Sequence, residues 1–229
     1  MINAPKIYKI RVTFAVDQDL DHKQVVVALR NRVLRSGLPF EPAKVNPSWP
    51  RLAYGPALGH GQRSVGEIAD LYFSAPVSAE QVQAQLVPSA SDGLRILRVQ
   101  RVPYALPSVS HLAEVVKYRA QGDFASYAPA VGAETFFRGK HLYVTMQAPN
   151  GMTMQQDLKP FVLSVAQPQP DQLELWLQKS ADKMAKPEEV VAAWLQVSVP
   201  TETVFALPGI EFIREALYWR DSSGELHAI

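Results

Sequence analysis

Cysteine is missing from all 229 residues. Its absence excludes disulfides, thiolate zinc sites, cysteine nucleophiles and cysteine-held iron–sulfur clusters. Histidine is scarce, and the five present (His22, His60, His111, His141 and His227) never stand at i,i+3 or i,i+4, so no local helical metal pair exists. No metal and no cofactor are expected. An excess of one charge sign is also lacking: 23 Lys+Arg against 22 Asp+Glu leave +1, which supplies no long-range field of the kind nucleic-acid proteins often carry. No apolar run approaches the roughly 20 residues that span a bilayer, so a cytoplasmic location without a membrane partner is expected. Phosphate-loop, dinucleotide, G-x-S-x-G and H-E-x-x-H motifs are all absent.

What remains is an ordinary globular composition, 47% apolar and 20% charged. Its length suits one large core or two small ones, since domains cluster near roughly 100–150 residues. Residues 6–16 alternate with period two: Tyr8, Ile10, Val12, Phe14 and Val16 on one face, Lys9, Arg11 and Thr13 on the other. This reads as a half-buried strand. Asp21 and Gln24 form a capping box for a helix over 21–36, with Val25, Leu29 and Val33 at helical spacing and Gly37 just past its end. A short extended piece near 39–45 and a strand near 67–74 follow. Ser78 and Gln81 cap a second helix, with Val77 and Val82 as a staple, and residues 94–102 form another strand. The order is β-α-β-β-α-β, the ferredoxin-like pattern.

Pro103 to Ser110 marks a boundary between halves. The second half repeats the pattern more weakly. Strands are expected near 116–120, 142–146, 153–165, 173–177 and 211–220. One helix is expected from Asp123 to about Phe137, and another from Pro187 to before Pro200. The fold class is therefore α+β: two ferredoxin-like halves, 1–105 and 106–229, packed as one pseudo-duplicated unit.

Three places could carry chemistry. The first is the loop from Asn46 to Gly61, stiffened by Pro47, Pro50 and Pro56, with Trp49, Leu52, Tyr54 and Leu58 as apolar anchors and Arg51 and His60 to meet an anion. Two readings stay open, a functional loop and an Ω-type loop that covers a sheet edge. The second comprises Arg30, Arg32 and Arg35 on the first helix and Arg95, Arg98 and Arg101 on the fourth strand. They do not share one face, so a solvated surface is the better reading. The third is Asp157, able to orient a ligand or act as a base, although an Asp in such a segment more often caps a turn. His60 and His141 lack a carboxylate nearby in sequence and read as structural or exposed.

The loop residues Asn46-Pro47-Ser48-Trp49-Pro50-Arg51-Leu52-Ala53-Tyr54-Gly55-Pro56-Ala57-Leu58, with Gly61, Ser64 and Glu67 after them, resemble the signature of the radical-SAM-associated (radical-SAM-linked) domain family of unknown function. Ala28 to Pro39 is similar to that family's Arg-rich helix, Asp157-Leu158-Lys159-Pro160 to its Asp-Leu-Arg-Pro segment, and Ile213-Arg214-Glu215 to its terminal Ile-Arg-Thr. Lys44-Val45 replaces the family's Gly-Phe, and Ser48-Trp49 stands where it has His.

The resemblance implies an accessory or substrate-presenting partner of a radical-SAM enzyme, with no iron–sulfur chemistry of its own. RNA is the alternative partner, through a module that binds or modifies tRNA or rRNA. A free-standing enzyme using Asp157 with an arginine is the least favoured reading. The binding candidates are Asn46, Arg51, Tyr54, His60, Arg30, Asp157 and Arg214.

Overall fold

A computed structural model describes residues 7–17, 20–87, 92–180, 183–201 and 205–229. The chain is a sheet-dominated α+β protein that divides into two compact units. One comprises Met1–Ala113 with Leu217–Ile229, and the other Glu114–Ala216.

The first unit opens with β1 (Tyr8–Val16), followed by α1 (His22–Arg35). Asp21 caps α1 reciprocally with Gln24: each side chain accepts from the other residue's backbone N–H at 2.8 Å. Gly37 then takes φ +68°, the left-handed conformation that a helix exit favours. The expected strand at 39–45 is not one, for Phe40 and Pro42 form only isolated bridges. Prolines at 39, 42 and 47 lack the N–H that a continuous ladder would need. The second strand instead lies inside the loop, as β2 (Leu52–Tyr54), and pairs antiparallel with β3 (Arg63–Phe73). After α2 (Ala79–Leu86) comes β4 (Leu94–Val102), antiparallel to β1, which is itself antiparallel to β3. Within this unit the strands lie in the order β4-β1-β3-β2. A short helix, α3 (Val109–Leu112), closes this part of the chain.

One sheet face builds the core as the alternation predicts. Ile10, Val12, Phe14 and Val16 meet Ala69, Leu71 and Phe73, with Val25, Leu29 and Val33 of α1 and Val82 and Leu86 of α2 above them. The other face departs from the expected half-buried strand, since Lys9 is 2% and Arg11 4% exposed. Arg11 forms a bidentate pair with Asp70 (2.7 and 3.1 Å), and Asp70 also accepts from the Val109 N–H at 2.9 Å. Lys9 donates to the carbonyls of Tyr104 and Leu106. Cations alternating with β-branched residues on a strand normally signal solvent. Here the segment after β4 lies over them: its carbonyls accept from Lys9, and its Val109 N–H donates to Asp70, the partner of Arg11.

The second unit contains β5 (Val115–Gly122), α4 (Ala133–Phe137), β6 (Tyr143–Gln147), β7 (Thr153–Asp157), β8 (Val162–Gln169), β9 (Gln172–Gln178), α5 (Pro187–Leu195), β10 (Val199–Pro200) and most of β11 (Ile210–Arg220). Its strands form the order β11-β5-β9-β8 and a separate three-stranded sheet, β10-β6-β7. Leu173, Leu175 and Leu177 are fully buried opposite Ala120, Tyr118 and Val116. The helix expected over 123–137 is broken. Asp123 caps only a 3-10 turn at Phe124–Tyr127, Ala128 flips to φ +47° and α4 restarts after Gly132. Pro129 explains the break, because proline disfavours helical geometry in the residue before it and lacks a donor itself. The single extended run expected over 153–165 is likewise split by a 3-10 turn at Lys159–Phe161. After β11 the chain closes a hairpin with β12 (Leu226–Ala228).

Candidate functional site

The loop after α1 is held from both sides. The Ala43 N–H donates to the Trp49 carbonyl (2.8 Å), the Arg51 N–H to the Glu41 carbonyl (2.7 Å) and the Tyr72 N–H to the Arg51 carbonyl (3.2 Å). Asn46 makes the turn that delivers Trp49: its Oδ1 accepts from the Ser48 N–H and its carbonyl from the Trp49 N–H, both at 3.0 Å. Pro47 occupies the turn position that proline's fixed φ suits. Of the expected apolar anchors, Leu58 is buried (3% exposed), whereas Trp49 keeps 38% of its surface in solvent. Trp49 is therefore a platform rather than an anchor.

Arg30, Lys44, Trp49, Arg51 and Tyr54 line one surface groove of about 460 Å3, together with Pro50 and Leu52. The Arg30 guanidinium lies 3.9 Å from the Trp49 ring centroid, and that of Arg51 lies 4.2 Å from Tyr72 and 6.0 Å from Tyr104. Tyr72 and Tyr104 meet edge to face at 6.3 Å. Stacking uses the π face of a guanidinium and leaves its in-plane donors available. Arg51 reaches only the Tyr104 hydroxyl, at a long 3.5 Å, and neither arginine meets a carboxylate among the described residues. Burial pushes the Tyr54 hydroxyl well above the usual phenol range, so it stays protonated and donates to the Val26 carbonyl at 3.4 Å. The groove lining holds three cations, with no carboxylate and no imidazole. Such a surface can bind an anion.

The remaining candidates lie elsewhere. His60 is exposed on the turn leading to Gly61. Asp157 ends β7 in the second unit, where its carboxylate accepts from the Leu142 N–H (3.0 Å), the Lys159 N–H (2.9 Å) and His141 Nδ1 (2.7 Å). The Leu142 N–H first, then His141, hold its pKa down at about 2. His141 thus does have a carboxylate, brought to it by the β6–β7 hairpin across 16 residues. Its ring stacks on Tyr143 with centroids 5.5 Å apart. Arg214 of β11 is 1% exposed and donates to the Tyr118 hydroxyl at 2.9 and 3.2 Å. Arg32, read as a solvated cation, is also 1% exposed: it pairs with Asp92 and donates to the carbonyls of Leu86 and Leu94.

Sequence reading missed Lys44, Tyr72 and Tyr104 as site residues. For Tyr72 a signal existed, since alternation along β3 sets it beside Asp70, away from Leu71 and Phe73.

A family model described as an uncharacterized protein conserved in bacteria (DUF2344) matches residues 9–187. The chain belongs to this family. The matched span contains every residue of the groove and Asp157, and it ends before Arg214. No curated protein matches the chain.

Proposed function

We propose that this DUF2344 chain is an accessory protein that holds or presents an anionic substrate to a radical-SAM enzyme, and that the α1–loop groove is where it does so. One observation carries this reading: Arg30 and Arg51 are clamped on aromatic rings in one groove without a carboxylate to neutralise either. Buried or half-buried charges are usually paired within the fold. Unneutralised guanidinium groups held at fixed positions suit a partner that arrives from outside. The radical-SAM partner itself follows from the resemblance of the 46–67 loop to the radical-SAM-associated family. Each unit is read as a β-α-β-β-α-β half: the orders β4-β1-β3-β2 and β11-β5-β9-β8 support this, with β6, β7 and β10 as an insertion in the second.

Coexpression with a radical-SAM enzyme from the same genome, followed by affinity capture, tests the assignment. A complex that weakens in the Arg30→Ala and Arg51→Ala variants is expected. No complex, with or without substrate, would overturn the assignment.

An RNA-binding role is the second reading, favoured by the interleaving of arginine with exposed Trp49 and Tyr104 (38% and 50% exposed). Its signature is an affinity that falls steeply with salt and drops on Arg51→Ala. Salt-independent binding would exclude it.

A further inference from the structure

We infer that the groove takes a planar ring bearing a phosphate, the chemistry of a nucleotide, whether free or within a single RNA strand. The inference rests on the groove being the binding site of an accessory protein, and it specifies what that site admits.

Size comes first. A volume of about 460 Å3 falls in the range of sites for small organic ligands, roughly 300–1,000 Å3, and is far more than a lone inorganic anion fills. The lining is also divided in character. Trp49, Pro50, Leu52 and Tyr54 supply apolar and aromatic surface, while Arg30, Lys44 and Arg51 supply charge.

Geometry then narrows the anion. With its π face on an indole or phenol ring, each guanidinium can offer its N–H edge as a two-pronged fork, the shape that matches phosphate or carboxylate oxygens. Lys44 is exposed and adds a third positive charge on a flexible stem. Three cations with no carboxylate among the lining residues favour a ligand of more than one negative charge, which a phosphate monoester supplies and a monocarboxylate does not.

The ring half of the ligand has a platform. Arg30 lies over the Trp49 ring, 38% of the residue remains solvent-accessible, and Trp49 is part of the groove lining. A purine or pyrimidine stacked there would extend the guanidinium–indole stack, an arrangement that tolerates any base because every base has a π face.

The test is a binding titration of the isolated full-length chain, with no enzyme partner. The ligands are a nucleoside 5′-monophosphate, the matching nucleoside, inorganic phosphate, ribose 5-phosphate and a short single-stranded oligoribonucleotide. Calorimetry gives affinity, and fluorescence of the chain compared with its Trp49→Phe variant reports stacking. The mononucleotide should bind on the order of tenfold or more tightly than nucleoside, phosphate or ribose 5-phosphate, because only it engages both halves. Arg30→Ala and Arg51→Ala should each weaken it by about tenfold or more, while Arg98→Ala on β4 leaves it unchanged.

If the oligoribonucleotide alone binds and shows the same three mutational effects, the chemistry stands and its source is a strand. Equal affinity for phosphate and mononucleotide would overturn the ring half of the inference. Absence of binding by every ligand would overturn it entirely. Capture of the radical-SAM enzyme is scored separately: a complex without nucleotide binding defeats this inference and spares the proposed function, and the converse result does the reverse.

Discussion

Replacing Asp70 by Asn keeps the side-chain shape and deletes one charge of a buried ion pair in the first unit. Asp70 is fully buried and takes two hydrogen bonds from Arg11, itself 4% exposed, and one from the Val109 N–H. In Asp70→Asn the Arg11 guanidinium keeps one amide oxygen and a distant Pro107 carbonyl at 3.5 Å, but no counter-charge. Breaking a buried pair by removing one partner costs about 3–5 kcal/mol, mainly because the surviving charge is left uncompensated. The retained amide contact places the expectation at the lower end, about 3 kcal/mol. In a chain of this length that lowers the melting temperature by about 6–12 °C at about 2–4 °C per kcal/mol.

Urea unfolding followed by circular dichroism measures this loss, and the single variants Arg11→Met and Asp70→Leu with the double variant Arg11→Met/Asp70→Leu make up the cycle. Removing both charges eliminates the uncompensated ion and leaves only the Val109 N–H unsatisfied, a cost of about 1–3 kcal/mol. The double variant should therefore be at least as stable as Asp70→Asn. A loss below about 1 kcal/mol for Asp70→Asn, or a double variant less stable than the sum of the singles, would refute the reasoning.

Three further outcomes are expected. Arg32→Lys should cost about 3 kcal/mol in urea unfolding despite keeping the charge, because one ammonium cannot reproduce the fork that reaches Asp92 and the Leu86 and Leu94 carbonyls together. Asp157 is depressed to about 2 from 3.8, so its contribution is present above its unfolded pKa and is lost as pH falls toward 2. Asp157→Asn should flatten that part of the stability profile in urea midpoints taken between about pH 4 and pH 2, and an unchanged slope would count against the capping role. Gly122→Ala should destabilise by about 1–3 kcal/mol or more in the same assay, since an added Cβ would collide with the Gly209 carbonyl oxygen, a backbone atom that no side-chain rotation moves aside.

Local rules made much of this fold legible. The capping boxes at Asp21 and Ser78 and the alternation of 8–16, 94–102 and 173–177 depend on neighbours a few residues apart, and the structure places elements at each. Long-range decisions were not legible. Nothing within a few residues of Lys9 or Arg11 shows that a segment about a hundred positions later will cover them, and nothing beside His141 announces Asp157. The same limit applies to the arginines of α1. Arg30 and Arg32 look alike in sequence, yet one stacks on a loop tryptophan and the other is sealed against Asp92. The loop itself was visible as an anomaly of proline and glycine, but its β2 strand was hidden because three residues carry too little periodicity to read.

The covered sheet face decides between modes of recognition. A four-stranded sheet of this order can bind RNA by stacking bases on aromatics that project from its open face. Here that face offers Lys9, Arg11 and Asp70; Arg11 and Asp70 pair with each other, and the backbone from Tyr104 to Val109 takes up Lys9 and the remaining capacity of Asp70. Displacing the segment would leave the Arg11–Asp70 pair in place but strip Lys9 of both carbonyl acceptors and Asp70 of the Val109 N–H, at about 1–3 kcal/mol for each buried group left unsatisfied and more for a charged one. Together these losses offset the roughly 1–3 kcal/mol that stacking one base returns. The aromatic surface at Trp49 and Tyr104, by contrast, is already exposed and already flanked by guanidinium groups. A ligand with a ring and a negative charge could meet it without unfolding anything, which is the reason the proposed recognition is placed at the loop groove and not on the sheet.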